Sequence, residues 1–417
     1  MSSADNLGRR YHVLLVAYVI SDAGTWLYRL TLPLLVLHLT GSALQTAALY
    51  TLEYGPFLLL SLPGGVFADW FDRKRLLIVG DGTAGLIALG LAVLVATGIS
   101  ALPAIYVVAF LLACVEPVYH PAFQGLLPEI TPSAALDRAN ALMQSADNIL
   151  SLVGPVIAGG LVALIGYQTA IYLDAASFAA SAAIISLIRV DRVASTVNKA
   201  AKRGAQFLVD LRVGLRYTMR ENRVLFVGSL LFTGTNFGIW LIQANLVYYL
   251  TTYLHLTSTV VGVVFAAQGV GALVGSLVAP PLIKLMGNGR AIVVSTMVAG
   301  ICTGLLVVVR DPIGVCVVYA VVFALGSINV VAWFTLRQRI VRRDMLGRVV
   351  AATRMVAFSS IPIASLVAGG VEQAIHNMYL LIAVGAALRL AVGVVGSVTG
   401  LAGAGRRTAE VATETTS

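Results

Sequence analysis

GGVFADWFDRKRLLIVGD, Gly64 to Asp81, lies between two long apolar runs. Gly65 is followed four residues on by an acid, Asp69, and then by a basic cluster, Arg73, Lys74 and Arg75. This spacing predicts a membrane helix that ends near Gly65, a turn in water from Asp69 to Arg75, and a second helix entering at Leu76. Basic residues in a short loop between two spans mark that loop as cytoplasmic. A glycine at the helix end lets a neighbouring helix approach closely. Asp69 and Arg73 can pair with other loops or helix ends, and such pairs can break and reform as a protein changes shape. An ordinary positively charged loop would explain the charges, but not the glycine and acid at this spacing.

Away from this loop the chain stays apolar. Of its 417 residues, 59% are hydrophobic and 11% charged, against roughly 25% charged in soluble domains. So few charges cannot cover a water-facing surface. The chain reads as an all-α polytopic membrane protein, long enough for about twelve spans of roughly 20 residues. The apolar runs are continuous rather than alternating, which argues against a β-barrel. Cys114, Cys302 and Cys316 lie inside apolar runs without metal-ligand spacing and read as small core residues. The N-terminus is short and polar and the first apolar run can span, so no cleavable signal peptide is expected.

Spans are predicted at 12–38, 44–66, 76–97, 102–123, 140–164, 169–188, 224–252, 257–283, 290–309, 312–336, 349–371 and 377–400. Breaks are marked by Thr40-Gly41-Ser42, Gly98, Gly166-Tyr167, Arg310-Asp311-Pro312 and His376-Asn377. Of the 28 Lys and Arg, all but Arg29, Arg310 and Arg389 fall in the tails or loops of one side or at the adjoining helix ends. That bias predicts a multi-pass protein of the inner (plasma) membrane with both termini in the cytoplasm. The net charge of +9 is then topological, and it implies anionic lipid rather than nucleic acid as a partner. The polar stretch Arg189 to Arg223 splits the spans six and six. The predicted organisation is an N-terminal half at 1–188, a cytoplasmic linker at 189–223, a C-terminal half at 224–400 and a disordered tail at 401–417. In the linker, Phe207, Leu208, Leu211, Leu215 and Met219 recur at helical spacing and predict a helix on the inner membrane surface. AFQGLLPEITPSAALDRANAL after span four resembles WFTLRQRIVRRDMLGRVVAAT after span ten, and GPVIAGG in span five resembles IPIASLVAGG in span eleven. Paired halves around a central cavity suit a secondary transporter.

No Gly-rich phosphate loop with a lysine is present, so ATP is not the expected energy source. No nucleophile elbow or His/Cys cluster appears either, and no catalytic residue, metal or cofactor is expected. Ionisable groups inside spans are costly and are candidates for function. They are Asp22 and Arg29 in span one, Glu53 in span two, Asp81 in span three, Glu116 in span four, Asp147 in span five, Asp174 in span six and Arg389 in span twelve. Asp22 lies about 15 Å and Glu53 about 20 Å in from the cytoplasmic ends of their helices. Arg29 is two turns beyond Asp22 on the same face and can pair with either acid. Burial and a nearby arginine pull a carboxyl's proton affinity in opposite senses. That competition suits a proton carrier, so Asp22, Glu53, Glu116 and Arg29 are the candidate proton-coupling residues; a static ion pair fixing helix register is the alternative. Glu116 precedes Pro117, whose missing N–H frees a carbonyl. Asp81, Asp147 and Asp174 lie nearer helix ends and read as structural. Asn236, Trp240 and Gln243 in span seven, and Asn329 and Trp333 in span ten, form polar faces that read as substrate-binding or as helix–helix hydrogen bonding.

The Gly65, Asp69, Arg73, Lys74 register resembles the loop between helices two and three of the major facilitator superfamily, with Asp72 where that family usually has glycine. The resemblance implies a gating role for these four residues. Gly154-Pro155 and Gly159-Gly160 resemble a motif of the antiporter branches, lengthened here by one residue; small-residue helix packing explains it equally. LPLLVLHLTGSALQTA, GPVIAGGLVALIGYQTAIYLDAASF and LGRV at Leu346–Val349 resemble the branch that holds macrolide efflux pumps and the enterobactin exporter. This resemblance implies twelve helices, alternating access, and export of a small amphipathic molecule, drug or siderophore, driven by proton entry. The expected partners are that substrate, protons and lipid, and the expected state is a monomer. An importer of the same fold, a lipid flippase and a non-transporting scaffold or sensor stay open.

Overall fold

A computed structural model describes residues 7–98, 102–132, 135–189, 209, 212–341 and 346–404, without the side chains at 57–59, 61–70, 136–138, 141, 144, 346–348 and 351. Within the described residues the chain is helical, with no strand. Eleven long helices follow one another: α1 Gly8–Thr40, α2 Ala43–Trp70, α3 Arg73–Ala96, α4 Leu102–Ile130, α5 Leu136–Ser186, α6 Arg223–Gln243, α7 Ser258–Met286, α8 Asn288–Leu305, α9 Pro312–Ile340, α10 Leu346–Ile375 and α11 Met378–Val398. α5 breaks in two at Gly166, whose φ of 75° and ψ of 169° lie outside helical space and are open to glycine. The eleven helices therefore make twelve helical segments. Ten stretches among the described residues are long and apolar enough to cross a membrane, the stretch from Ser145 to Ser186 being the broken pair. Large apolar side chains such as Leu164, 83% exposed, face outward, as lipid permits.

The predicted breaks hold. α1 stops at Gly41, which is left-handed (φ 60°) and returns its N–H to Leu37 O at 2.8 Å. Asp311 caps α9 by accepting from Gly314 N at 2.7 Å, with Pro312 in the first turn. Asn377 caps α11 by accepting from Leu380 N at 3.1 Å.

The loop after Gly64 differs from its prediction. α2 runs on to Trp70 and α3 begins at Arg73, so only Phe71 and Asp72 connect them. The cause is Asp72, whose Oδ1 accepts from Arg75 N at 2.8 Å. That cap turns the basic cluster into the first turn of a helix instead of a loop.

The described part of the linker winds helically into a π-turn at Tyr217–Glu221. In that turn Thr218 is buried and Met219 is 58% exposed. Phe207, Leu208 and Leu211 lie outside the described residues, as does the tail beyond Ala404.

The chain forms two compact units. The first comprises Met1–Gly41, Leu52–Phe207 and Thr257–Ala266; the second comprises Ser42–Thr51, Leu208–Leu256 and Ala267–Ser417. In the first unit, the apolar core around Tyr11, Leu14, Leu77, Leu126, Ile130 and Ile185 packs α1, α3, α4 and both arms of α5 at the end that carries Gly8 and Arg73. In the second unit, α7 and α9 cross with their backbones touching. A Cβ at Gly271 would stand 1.9 Å from Ala320 O, and one at Gly275 would stand 2.1 Å from Ala324 O.

The predicted packing residues of span five divide. Gly154 lies under the Trp26 ring, and Gly159 lies against Ser258 O and Gly262. Gly262 in turn lies against Pro155 O, where a Cβ would come within 2.3 Å. Gly160 has open space around it.

Candidate functional site

The first unit encloses a cavity of about 180 Å³. α1 forms one wall with Tyr18, Ser21, Asp22, Thr25, Tyr28 and Arg29. These recur at three- and four-residue intervals, so the helical repeat puts them on one face. α2 adds Glu53, α3 adds Asp81, α4 adds Glu116, Tyr119 and His120, and the second arm of α5 adds Phe178.

Arg29 is the hub. Its Nε stands 3.6 Å from Glu53 Oε1 and its Nη2 stands 3.9 Å from Glu116 Oε2. Its guanidinium also lies over the Trp26 ring, 5.6 Å from the centroid. These distances make ion pairs longer than a close hydrogen bond, and so loosely held. About a third of the Arg29 and Glu53 side chains and 61% of Glu116 remain exposed to the cavity. Three of the four predicted proton-coupling residues therefore meet directly, and Asp22 lines the same space.

Asp81 belongs to the site, although its place near a predicted helix end made it read as structural. It is 2% exposed and accepts from Ser181 Oγ at 2.6 Å, Tyr119 Oη at 3.2 Å and Ser21 Oγ at 3.4 Å. With α3 starting at Arg73, Asp81 lies about 12 Å inside the helix rather than near its end. Asp147 accepts a short hydrogen bond from Tyr18 Oη. Asp174 is fully buried, its carboxylate facing Gly24 of α1, and neither oxygen has a hydrogen-bond partner. The tyrosines and hydroxyls of this site were missed, although the polar stripe on α1 carries a readable signal.

At the basic end, Arg73 Nη1 donates to Gly125 O at 2.9 Å and to Glu129 Oε1 at 2.7 Å, and Lys74 Nζ donates to Ser186 O at 2.8 Å. Gly65 and Asp69 lie on the last turns of α2, and the Asp69 side chain lies outside the described residues.

In the second unit the predicted substrate residues separate. Asn329 Nδ2 donates to Thr296 Oγ1 at 2.7 Å and to Ile292 O at 3.3 Å. Trp333 is buried, with the Arg337 guanidinium 5.2 Å from its centroid. Both border a crevice of about 10 Å³, room for a single water. The Asn329 amide N–H thus bonds across to another helix, while its buried Oδ1 has no hydrogen-bond partner. Trp240 meets Tyr50 edge-on, and Gln243 Nε2 donates to Gln268 Oε1 at 3.1 Å. Asn236, one turn before Trp240 on α6, is half-buried. Among the described residues, no three His, Cys, Asp or Glu side chains converge to hold a metal.

Apolar helices long enough to cross a membrane, with a charged, tyrosine-lined cavity in the first unit, are the features of a membrane transport protein. A sequence profile of the Major Facilitator Superfamily matches residues 14–365, and the chain belongs to that superfamily. It is a multi-pass transporter and not an enzyme. Over 384 residues it is 26% identical to the multidrug efflux pump Tap of Mycobacterium tuberculosis, covering 89% of each chain. It is 25% identical to the staphyloferrin A transporter of Staphylococcus aureus, covering 67% of this chain and 68% of that one. The crystal structure of a point mutant of the nucleoside transporter NupG shares the fold, with a TM-score of 0.76 over 94% of this chain and all of that one, at 14% identity.

Proposed function

We propose that this protein exports a small amphipathic organic molecule from the cell in exchange for protons. It works by alternating access, as a plasma-membrane monomer with both termini in the cytoplasm. Two six-span halves, 1–188 and 224–400, carry the motion, and the 189–223 linker tethers them. The observation that carries this reading is the Arg29, Glu53, Glu116 cluster open to a cavity that Asp22 also lines. One guanidinium shared loosely between two carboxylates is an arrangement that one added proton can rearrange. An efflux-pump relative such as Tap favours the outward direction. The staphyloferrin A transporter supports organic cargo without fixing its type. The Asp69/Arg73 pair latches the inner gate while the cavity faces outward, with Gly65 and Lys74 beside it, and Arg73 also hydrogen-bonds Glu129 and Gly125 O of its own unit.

The test uses inside-out vesicles whose lumen is acidified, with macrolides, tetracyclines, catechol siderophores and dyes added in turn. Substrate-dependent loss of acidity that disappears in Asp22→Asn is the expected result. A response of equal rate in Asp22→Asn would remove that carboxyl from the coupling. Accumulation of a compound by whole cells that rises with expression would reverse the direction of transport.

A further inference from the structure

We infer that the second unit carries a binding site for a phosphate group, as borne by an anionic phospholipid, where the end of α9 meets the start of α10. Its two guanidiniums are Arg337, in the last turn of α9, and Arg354, on α10. Arg337 is 2% exposed. Its Nη1 donates to Thr353 Oγ1 at 2.6 Å, and its Nε has no hydrogen-bond partner. That hydrogen bond holds Arg337 against the residue next to Arg354, close enough for the two like charges to repel. Among the described residues, no carboxylate forms an ion pair with either arginine. The described acids of this unit are engaged or distant. Glu221 answers Arg216 at 3.8 Å, while Asp311 and Glu372 lie at the opposite ends of α9 and α10. A buried guanidinium without a counter-charge is costly, and a second one beside it adds to the cost. An anion between them relieves both.

Chemistry narrows the anion. A guanidinium offers parallel N–H donors that match the oxygens of a phosphate, and two guanidiniums serve its several oxygens better than a single-atom anion. Each arginine also lies over a ring of its own helix. Arg337 stands 4.5 Å from the Phe334 centroid and Arg354 stands 5.3 Å from that of Phe358. Such stacking steadies the planar fork without consuming its N–H groups. Arg354 is exposed, so a ligand can approach from its side. On α9, Phe334 and Val330 continue at helical spacing away from Arg337, and they are 38% and 37% exposed. An acyl chain can lie along that stripe while its headgroup meets the arginines, which favours a lipid over a free phosphate. The site stands whichever way the protein transports.

The experiment measures binding to the purified, delipidated full-length protein in detergent, read by native mass spectrometry and by melting temperature. The probes are phosphatidylglycerol, phosphatidylcholine (whose choline cancels its phosphate charge) and inorganic phosphate. The expected result is saturable retention of phosphatidylglycerol with a raised melting temperature, and neither effect from phosphatidylcholine. Arg354→Gln should weaken that binding about tenfold, the scale of one charge-assisted hydrogen bond, and Arg354→Lys should restore part of it. Lys284→Gln removes another exposed charge, from the last turn of α7, and should change nothing. Unchanged melting temperatures without lipid show that each variant is folded. Inorganic phosphate that binds and displaces the lipid would uphold the site and assign it to a soluble phosphate. Equal retention of phosphatidylcholine, or no binding of any probe, overturns the inference. So does unchanged affinity in Arg354→Gln, or an equal loss in Lys284→Gln, which would reduce the effect to overall charge.

Discussion

Arg29 is the residue on which the first unit's polar interior turns. It sits on α1 and reaches acids on α2 and α4, so it joins three helices through one side chain. Arg29→Gln would leave Glu53 and Glu116 facing the same cavity without their shared cation. Breaking a fully buried pair costs about 3–5 kcal/mol. With a third of the Arg29 side chain exposed, the expected loss is smaller, about 1–3 kcal/mol, read as a lowered melting temperature in detergent. Adding Glu53→Gln should recover part of it, and a double variant as unstable as the sum of its parts would show that the two residues do not interact. This cluster was half legible. A charged residue inside an apolar run announces itself, so Asp22, Arg29, Glu53 and Glu116 stand out by type alone. Asp81 stands out by type as well, but its depth depends on where α3 begins, and Asp72 moves that point by three residues through a cap that reads in the sequence as a loop acid. Asn329 and Trp333 have the composition of a binding face; Asn329 gives its amide N–H to Thr296 and Ile292 while its Oδ1 has no hydrogen-bond partner, and Trp333 packs beside Arg337. Thr296 and Ile292 lie on α8, a different helix from Asn329, and spacing along one helix does not reveal such partners.

Between helices, small residues set the distance, and the sequence shows where they are without showing which ones matter. Gly159, Gly160, Gly271 and Gly275 all lie in apolar helices, but their surroundings differ. A methyl at Gly271 would meet the Ala320 carbonyl at 1.9 Å, and a backbone oxygen inside a helix cannot swing aside. α7 and α9 would have to separate, forfeiting dispersion along the whole crossing. Gly271→Ala should therefore destabilise by about 1–3 kcal/mol, the usual cost of overpacking. Gly160 has nothing within 4 Å of the same methyl, and alanine is the better helix former by up to about 1 kcal/mol. Gly160→Ala should leave the melting temperature unchanged or slightly raised. Equal destabilisation by both would mean that helix flexibility, rather than close approach, sets the requirement for glycine.

At the scale of the whole chain, the number and order of spans were legible because each break is written in local chemistry. Gly41 and Gly166 take up positive φ, Asp311 and Asn377 cap the helices that follow them, and proline opens α9. Orientation rests on a different signal, the placement of nearly all Lys and Arg on one side. A reader of the fold alone could turn the molecule over without breaking a single interaction, whereas the positive-inside bias makes the choice. The prediction is that the α2–α3 turn faces the cytoplasm and the far end of α3 faces outward. Phe71 and Thr97 are both exposed and mark those two ends. In a chain with Cys114, Cys302 and Cys316 replaced by alanine, a membrane-impermeant maleimide added to intact cells should label Thr97→Cys and leave Phe71→Cys unlabelled until the cells are permeabilised. Labelling of Phe71→Cys in intact cells would invert this topology and put Arg73, Lys74 and Arg75 on the outer face, against the positive-inside bias that predicts it.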